Sequence, residues 1–369
     1  MRILHTGDIH LDSPFSGLDV RKAQSRRREM RETFIRLMRY AREENVDMVI
    51  IAGDLFDGTY VTRETISCLI REFSALCCPV IIAPGNHDYR DAQSVWEKTA
   101  FPENVHVFKS NSTEKLSFDG LGCDVYGFAF VSQNETSCPL SGKVDDPERI
   151  NIVAAHADVT SPLSNNAPLP VNVLRAFGAD YAALGHIHNP EAANALLSGI
   201  GAYCGCPEGR DFGECGEKGA IIAEVTKASV KTEFIRFSKR IYLRESINID
   251  GAADLGYVAE RIRSHVESRG YGDEVLLRIT LTGSVEPSLV INTEVLAEGW
   301  DRLFHLEIED ETSPTWNAAD LTDDLGIRGE LYRTLLPDLE SADRETRDTA
   351  ALALRYALAA LRGEDIADI

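Results

Sequence analysis

Five of the nine histidines, His10, His87, His156, His186 and His188, stand in short polar clusters that also hold Asp8, Asp54 and Asn86. Imidazole nitrogens mixed with carboxylate and carboxamide oxygens, and no thiolate, suit Mn²⁺, Fe or Zn²⁺, with Mg²⁺ also admissible, and not a soft metal. Asp8 and His10 are two residues apart, as are His186 and His188. In an extended segment such pairs point to the same side. The donors suffice for two cations, and a carboxylate such as Asp54 can bridge them. Two bridged cations can bind a phosphate ester and lower the pKa of a water, so the chemistry implied is phosphoester hydrolysis.

These clusters need a frame that brings them together. Each follows a short, mostly apolar run: Arg2 to Thr6, Asp47 to Ala52, Pro79 to Pro84, Ile150 to Ala155, and Ala179 to Leu184. Runs of this kind without strict alternation predict strands buried on both faces. Helical stretches lie between them, at Arg27 to Glu44 and Arg63 to Leu76. The alternation predicts an α/β domain with its functional residues at the carboxyl ends of the strands. From Ala220 come further strand-like pieces, including Lys231 to Leu243. Ser246 to Asp250 and Val275 to Thr282 then flank a helix at Ala253 to Ser268, a small β-α-β unit. From Ser313 the pattern is mainly helical. In the last helix, Ser341 to Leu361, one side carries Leu354, Leu358 and Leu361, broadened by Leu352 and Tyr356. The expected parts are 1–240, 241–312 and 313–369.

The motifs Asp8-x-His10, Gly53-Asp54-x-x-Asp57, Gly85-Asn86-His87-Asp88, His156 and Gly185-His186-x-His188 appear in this order. In that order the chain resembles the calcineurin-like metallophosphoesterases. The text HTGDIHLDSPF, AGDLFD, PGNHD, LGHIH and YCGCPEGRDFGECGEKG is similar to the SbcD/YhaO branch, bacterial nuclease subunits that pair with an SMC-like ATPase. The motifs cover residues 1–220; beyond them the likeness is one of layout. The resemblance implies a four-layer α-β-β-α sandwich, a small α+β capping domain and C-terminal helices that dock on a partner. It implies that Asp8, His10, Asp54 and His188 hold a first metal, with Asp54 bridging, and that Asn86, His156 and His186 complete a second. His87 would protonate the leaving alkoxide or stabilise the phosphorane, and Asp57 would fix its tautomer and orientation. Mn²⁺, a homodimer and an SbcC/YhaN-type ATPase partner follow from the same resemblance. His5 precedes the first motif and reads as a strand residue.

With 38 basic and 59 acidic residues the net charge is −21. That argues against coating nucleic acid or an anionic membrane by bulk electrostatics. The charge is uneven, however: −15 of it falls in Arg244 to Ile369, which has no lysine, while Arg21 to Arg42 carries a local +7. Arg21, Arg26, Arg27 and Arg28 read equally as holders of DNA phosphates and as a solvated helix face. Met30, Phe34, Leu37, Met38 and Tyr40 supply that helix with a buried stripe. The opening MRILHTGDIH contains no apolar signal core, and no apolar run approaches the roughly 20 residues of a membrane span. Eight scattered cysteines suit reduced thiols, and so a cytoplasmic chain. Cys204, Cys206 and Cys215 have no fourth soft ligand nearby to complete a zinc site.

Three functions compete. A Mn²⁺-dependent DNA nuclease, exo- or endonucleolytic, leads. A phosphatase or phosphodiesterase acting on small molecules or phosphoproteins shares its chemistry. A largely structural subunit that binds an ATPase and DNA is the third. The long appendage beyond residue 240 favours the first over the second. The apolar side of the last helix could lie on the coiled-coil base of an ATPase or close the protein's own core, and the family layout favours the partner.

Overall fold

The computed structural model describes residues 1–286, 289–315 and 318–361. Its contacts divide into two units, Met1–Ile241 and a second beginning at Tyr242.

In the first unit, strands β1 (Arg2–Thr6), β2 (Met48–Ile51), β3 (Val80–Ile82) and β4 (Val105–Val107) run parallel. They belong to a six-stranded sheet, and every residue of β2 and β3 is buried. A second, five-stranded sheet orders β5 (Glu114–Phe118), β6 (Cys123–Gly127), β7 (Ile150–His156), β8 (Tyr181–Gly185) and β9 (Gly201–Tyr203). Here β6 to β9 are parallel and β5 is antiparallel. The first sheet is completed by β10 (Gly219–Val225), antiparallel to β1, and β11 (Val230–Arg236).

Alternate residues of the first sheet point to different cores, as the pleat requires. Ile3, Met48, Ile50 and Ile81 pack with Val125, Ile152, Ala154, Tyr181 and Ala183 of the second sheet. Leu4, Val49, Ile51, Val80 and Ile82 pack instead against helices α1 (Val20–Glu43) and α2 (Arg63–Ser74). On its other face the second sheet offers Val153, Ala155, Ala182 and Leu184 to Leu174 and Phe177 of α4 (Val171–Phe177) and Ala193 and Leu197 of α5 (Glu191–Leu197); α3 (Val95–Lys98) is a single turn. His5 is wholly buried on β1, its ring nitrogens paired with Tyr181 Oη at 2.8 Å and Leu184 O at 3.1 Å, so it ties one sheet to the other.

Helix α1 begins seven residues earlier than Arg27. Asp19 caps it, accepting from the N–H groups of Arg21 and Lys22, which satisfies two of the donors that a helix start leaves unpaired. The run expected from Lys231 to Leu243 is broken. The N–H groups of Phe237 and Ser238 both donate to Lys218 O, leaving β11 and a separate β12 (Ile241–Asn248).

In the second unit, β12, β13 (Val275–Val285) and β14 (His305–Pro314) form a sheet in that order. With α6 (Leu255–Arg269) and α7 (Thr293–Ala297) it encloses Ile247, Val258, Ile262, Leu277, Ile279 and Leu306. Helices α8 (Ala318–Asp323), α9 (Ile327–Leu339) and α10 (Arg344–Leu361) form a separate cluster. Leu354 and Leu358, on the side of α10 read as a docking face, are buried there against Leu321 and Tyr332, while Leu352 and Leu361 are exposed. Among the described residues no helix is long and apolar enough to cross a membrane.

Candidate metal centre

All the donors singled out in the sequence lie just beyond, or at, the carboxyl ends of parallel strands. Asp8 and His10 follow β1, Asp54 follows β2, Asn86 and His87 follow β3, His156 ends β7, and His186 and His188 follow β8. The loops after β1 and β2 are zipped together: Asp8 N–H donates to Gly53 O at 3.0 Å and His10 N–H to Asp54 O at 2.9 Å. Gly53 and Gly85 allow the close approach, since a Cβ on the first would strike His156 and on the second Asp54.

Asp8, His10 and His188 form one group. Nε2 of His10 and Nε2 of His188 face each other at 3.4 Å, and Asp8 Oδ1 lies 3.5 Å from His188 Nε2. Asp54, Asn86 and His156 form a second. His156 Nε2 is 2.9 Å from Asn86 Oδ1 and 3.4 Å from Asp54 Oδ2, and the His186 ring stands 5.1 Å from that of His156. Asp54 Oδ2 is also 3.6 Å from His10 Nε2, which places this carboxylate between the groups. The His186 N–H donates to Asp8 Oδ2 at 2.9 Å and the His87 N–H to Asp54 Oδ1 at 2.9 Å. His87 itself is the exposed member, its ring 4.8 Å from that of His10.

The backbone is strained at these positions. Asp8, His10 and Asp54 each have φ of 47°, and His186 has φ of 107°. Non-glycine residues rarely adopt such angles, and where they do it is commonly to aim functional groups.

The electrostatics call for cations. Asp8 and Asp54 are 0% and 1% exposed, and two such charges side by side are costly without a counter-ion. Burial and the Asp8 charge push Asp54 up to about 7. Burial pushes His156 and His186 down to about 4 and His10 well below its ordinary value, so these rings are neutral donors. In His188 burial is outweighed by the carboxylates of Asp8 and Glu214, which push it up to about 10. His10 Nδ1 is buried with no aligned hydrogen bond. Within Asp8–His10–His188, His10–Asp54–His87 and Asp8–Asp54–His156, ligand atoms lie within 4.8 Å of one another. Three neutral imidazoles, a fourth (His188) once a cation displaces its proton, two buried carboxylates and one carboxamide therefore fit a pair of divalent cations.

Asp57 faces His87 chiefly with its main chain. Its Oδ1 is 3.0 Å from His10 Nδ1 and accepts from Arg210 Nη1 at 2.8 Å, but is 4.0 Å from His87 Nδ1. The His87 ring instead meets the Asp57 main-chain oxygen at 3.3 Å. Arg26, read in the sequence as a candidate DNA contact, is a correction: it is fully buried and paired with Glu29 and Glu208, and its guanidinium stacks on the Phe15 ring. Arg21 and Arg28 are exposed, and half-buried Arg27 donates to Pro14 O.

Two residues beside the site escaped the sequence reading. Glu214 accepts from His188 Nδ1 at 2.6 Å, and Arg210 donates to Glu214 Oε1 at 2.9 Å. His188, Cys206 and Glu214 also converge. Burial keeps the Cys206 thiol protonated, and Arg210 already neutralises Glu214, so this trio is hydrogen-bonded instead of cation-binding.

Comparison with known proteins agrees with this geometry. Residues 1–190 match the profile of the family described as calcineurin-like phosphoesterase. The metallophosphoesterase YhaO of Bacillus subtilis (strain 168) is 27% identical over 297 residues, covering 77% of this chain and 72% of that protein. The DNA double-strand break repair protein Mre11 of Methanopyrus kandleri is 27% identical over 238 residues, 60% of this chain and 52% of that protein. A subunit of the nuclease SbcCD from Bacillus subtilis (strain 168) is 24% identical over 256 residues, 58% of this chain and 64% of that protein. The chain thus spans between half and two thirds of the last two relatives.

Proposed function

The chain belongs to the calcineurin-like phosphoesterase family of metal-dependent hydrolases, and we propose that it is a Mn²⁺-dependent DNA nuclease working as a subunit beside an SMC-like, SbcC/YhaN-type ATPase. The observation that carries the metal centre is Asp54 Oδ2, poised between His10 Nε2 and His156 Nε2. Asp8, His10 and His188 would hold one Mn²⁺, and Asn86, His156 and His186 the other, with Asp54 shared. Bound there, the cations supply neutralisation of the phosphodiester charge and acidify the attacking water.

The chain's own groups do the rest. His87, protonated at the outset, gives its proton to the departing 3′-oxygen as that P–O bond breaks; the water oxygen forms the new P–O bond and its proton passes to solvent, from which His87 is reprotonated. The His87 main-chain N–H, held by Asp54, fixes the ring at the mouth of the site. With Nδ1 facing Asp57 O, the ring is left with Nε2 for the proton transfer. Arg21, Arg27 and Arg28 can touch phosphates on one side. With so few contacts the isolated chain binds DNA weakly and with a shallow salt dependence. Residues 241–312 are read as a separate domain of the capping type, and 313–369 as the segment for the ATPase; the assembly is a homodimer in the cytoplasm. Names of relatives that include Mre11 and the SbcCD nuclease support this reading.

The purified chain with Mn²⁺ is offered a labelled duplex with single-stranded ends and a chromogenic phosphodiester. The proposal expects cleavage of both, increased on the duplex by the ATPase. Hydrolysis of the ester but never of DNA, even with the ATPase, assigns a small-molecule or phosphoprotein esterase instead; hydrolysis of neither assigns a structural subunit.

A further inference from the structure

His10 and His188 stand on loops that follow different strands, yet both turn Nδ1 towards carboxylates joined by one guanidinium. Asp57 Oδ1 lies 3.0 Å from His10 Nδ1, and Glu214 Oε1 lies 2.6 Å from His188 Nδ1. Arg210 spans the two. Its Nη1 donates to Asp57 Oδ1 at 2.8 Å, while Nη2 and Nε donate to Glu214 Oε1 at 2.9 and 3.2 Å. The Arg210 main-chain N–H adds a bond to Glu214 Oε2 at 2.7 Å. The segment before Arg210 is anchored in turn, because Arg26 Nη2 donates to Gly209 O at 2.9 Å and to Glu208 Oε2 at 3.0 Å.

We propose that Arg210 is a positioning residue: the Asp57–Arg210–Glu214 bridge sets the relative orientation of the His10 and His188 rings and so the cation affinity of the Asp8–His10–His188 group. The inference rests on reading the site as a metal centre. An imidazole that ligates through Nε2 needs its other nitrogen held, and a carboxylate there fixes the ring and raises its basicity. Two such rings from separate loops must also agree with each other. A planar guanidinium can hold two carboxylates at once in a fixed geometry, whereas an ammonium is a single point of charge. The bridge reaches His10 Nδ1 as a 3.0 Å contact with Asp57 and His188 Nδ1 by a hydrogen bond to Glu214, and it touches neither Asn86 nor His156, so the Asp54–Asn86–His156 group should be spared.

The test is Mn²⁺ titration of the full chain by calorimetry, with ¹⁵N-imidazole NMR of the cation-free protein. The variants are Arg210→Met, Arg210→Lys and Glu214→Gln. One of the two Mn²⁺ sites is expected to weaken about 10- to 100-fold in Arg210→Met, the usual effect of losing a ligand's hydrogen-bonded support. The other should hold its affinity. The His10 and His188 resonances should move while those of His156 and His186 stay, and Arg210→Lys should recover only part of the loss. Glu214→Gln keeps the side chain's size and carries the test should Arg210→Met fail to fold. Unchanged affinities, or equal weakening of both sites with all four rings displaced, overturns the proposal. An unaltered chain that binds no Mn²⁺ would remove the metal centre itself, which is a different failure.

Discussion

Arg26 Nη1 donates to Glu29 Oε2 at 2.9 Å within α1, and neither side chain reaches solvent. Arg240 also holds Glu29, from Nε at 3.1 Å. The charges in the basic stretch thus serve partly to pin α1 to the rest of the unit. Burial opposes the Glu29 carboxylate, but Arg240 and Arg26 hold it down at about 2. A carboxyl depressed from 4.5 to about 2 contributes roughly 3 kcal/mol above pH 4.5, and the contribution fades as pH falls towards 2. Denaturant unfolding of Glu29→Gln should show a deficit of that order at pH 7 that narrows between pH 4.5 and 2. A deficit independent of pH would contradict the pairing.

His87 is exposed, its ring only meets the edge of His10, and the bond of its main chain to Asp54 survives substitution, so removing the ring should leave the fold within about 0.5 kcal/mol of the original. As the proton donor it is worth about 10²- to 10⁴-fold in rate. His87→Ala should therefore bind two Mn²⁺ at unaltered affinity and hydrolyse a phosphodiester that much more slowly. Unaltered turnover would assign the proton to another group.

The donor set is legible in the sequence because each member ends an apolar run, and parallel strands bring such ends together whatever lies between them. Arg26 misleads for a local reason. With the helix taken to start at Arg27, its place on the inward stripe of Ala23, Met30 and Phe34 is hidden; the Asp19 cap at the true start restores the register. Glu214 and Arg210 lie in an irregular, glycine-rich segment more than twenty residues after His188, with no periodicity to place them. Their place in the family-like text from Tyr203 to Gly219, and a carboxylate and a guanidinium four apart outside any helix, are the hints. The Leu354 side of α10 is ambiguous for a different reason, since an apolar stripe has the same pattern whether it meets its own neighbours or another chain.

Asp54→Asn should affect both Mn²⁺ sites together, because one oxygen stands between the two groups. Calorimetry should show both affinities falling. The cation-free protein should melt no lower than the original, since the change removes one of two adjacent buried charges. Loss confined to a single site would argue against a shared ligand.

His5 offers the converse case, a buried histidine beside the site that serves the sandwich. His5→Phe strands Tyr181 Oη and Leu184 O, at a cost of about 1–3 kcal/mol for each group left without a partner. Equilibrium unfolding should register that loss while Mn²⁺ stoichiometry stays at two. A changed stoichiometry would bring His5 into the ligand set.

At φ of 107° His186 occupies backbone territory where only glycine is at ease, and a strained residue of this sort costs on the order of 1–3 kcal/mol. His186→Gly should thus melt higher than the original in chelator and gain less from added Mn²⁺; a lower melting point in chelator would show that no strain is stored there. Heat tolerance and competence pull in opposite directions at such a position. A library of this chain selected on thermal survival alone would enrich for sequences whose hydrolytic centre has been erased, so any stabilisation campaign has to screen for cation uptake at every round.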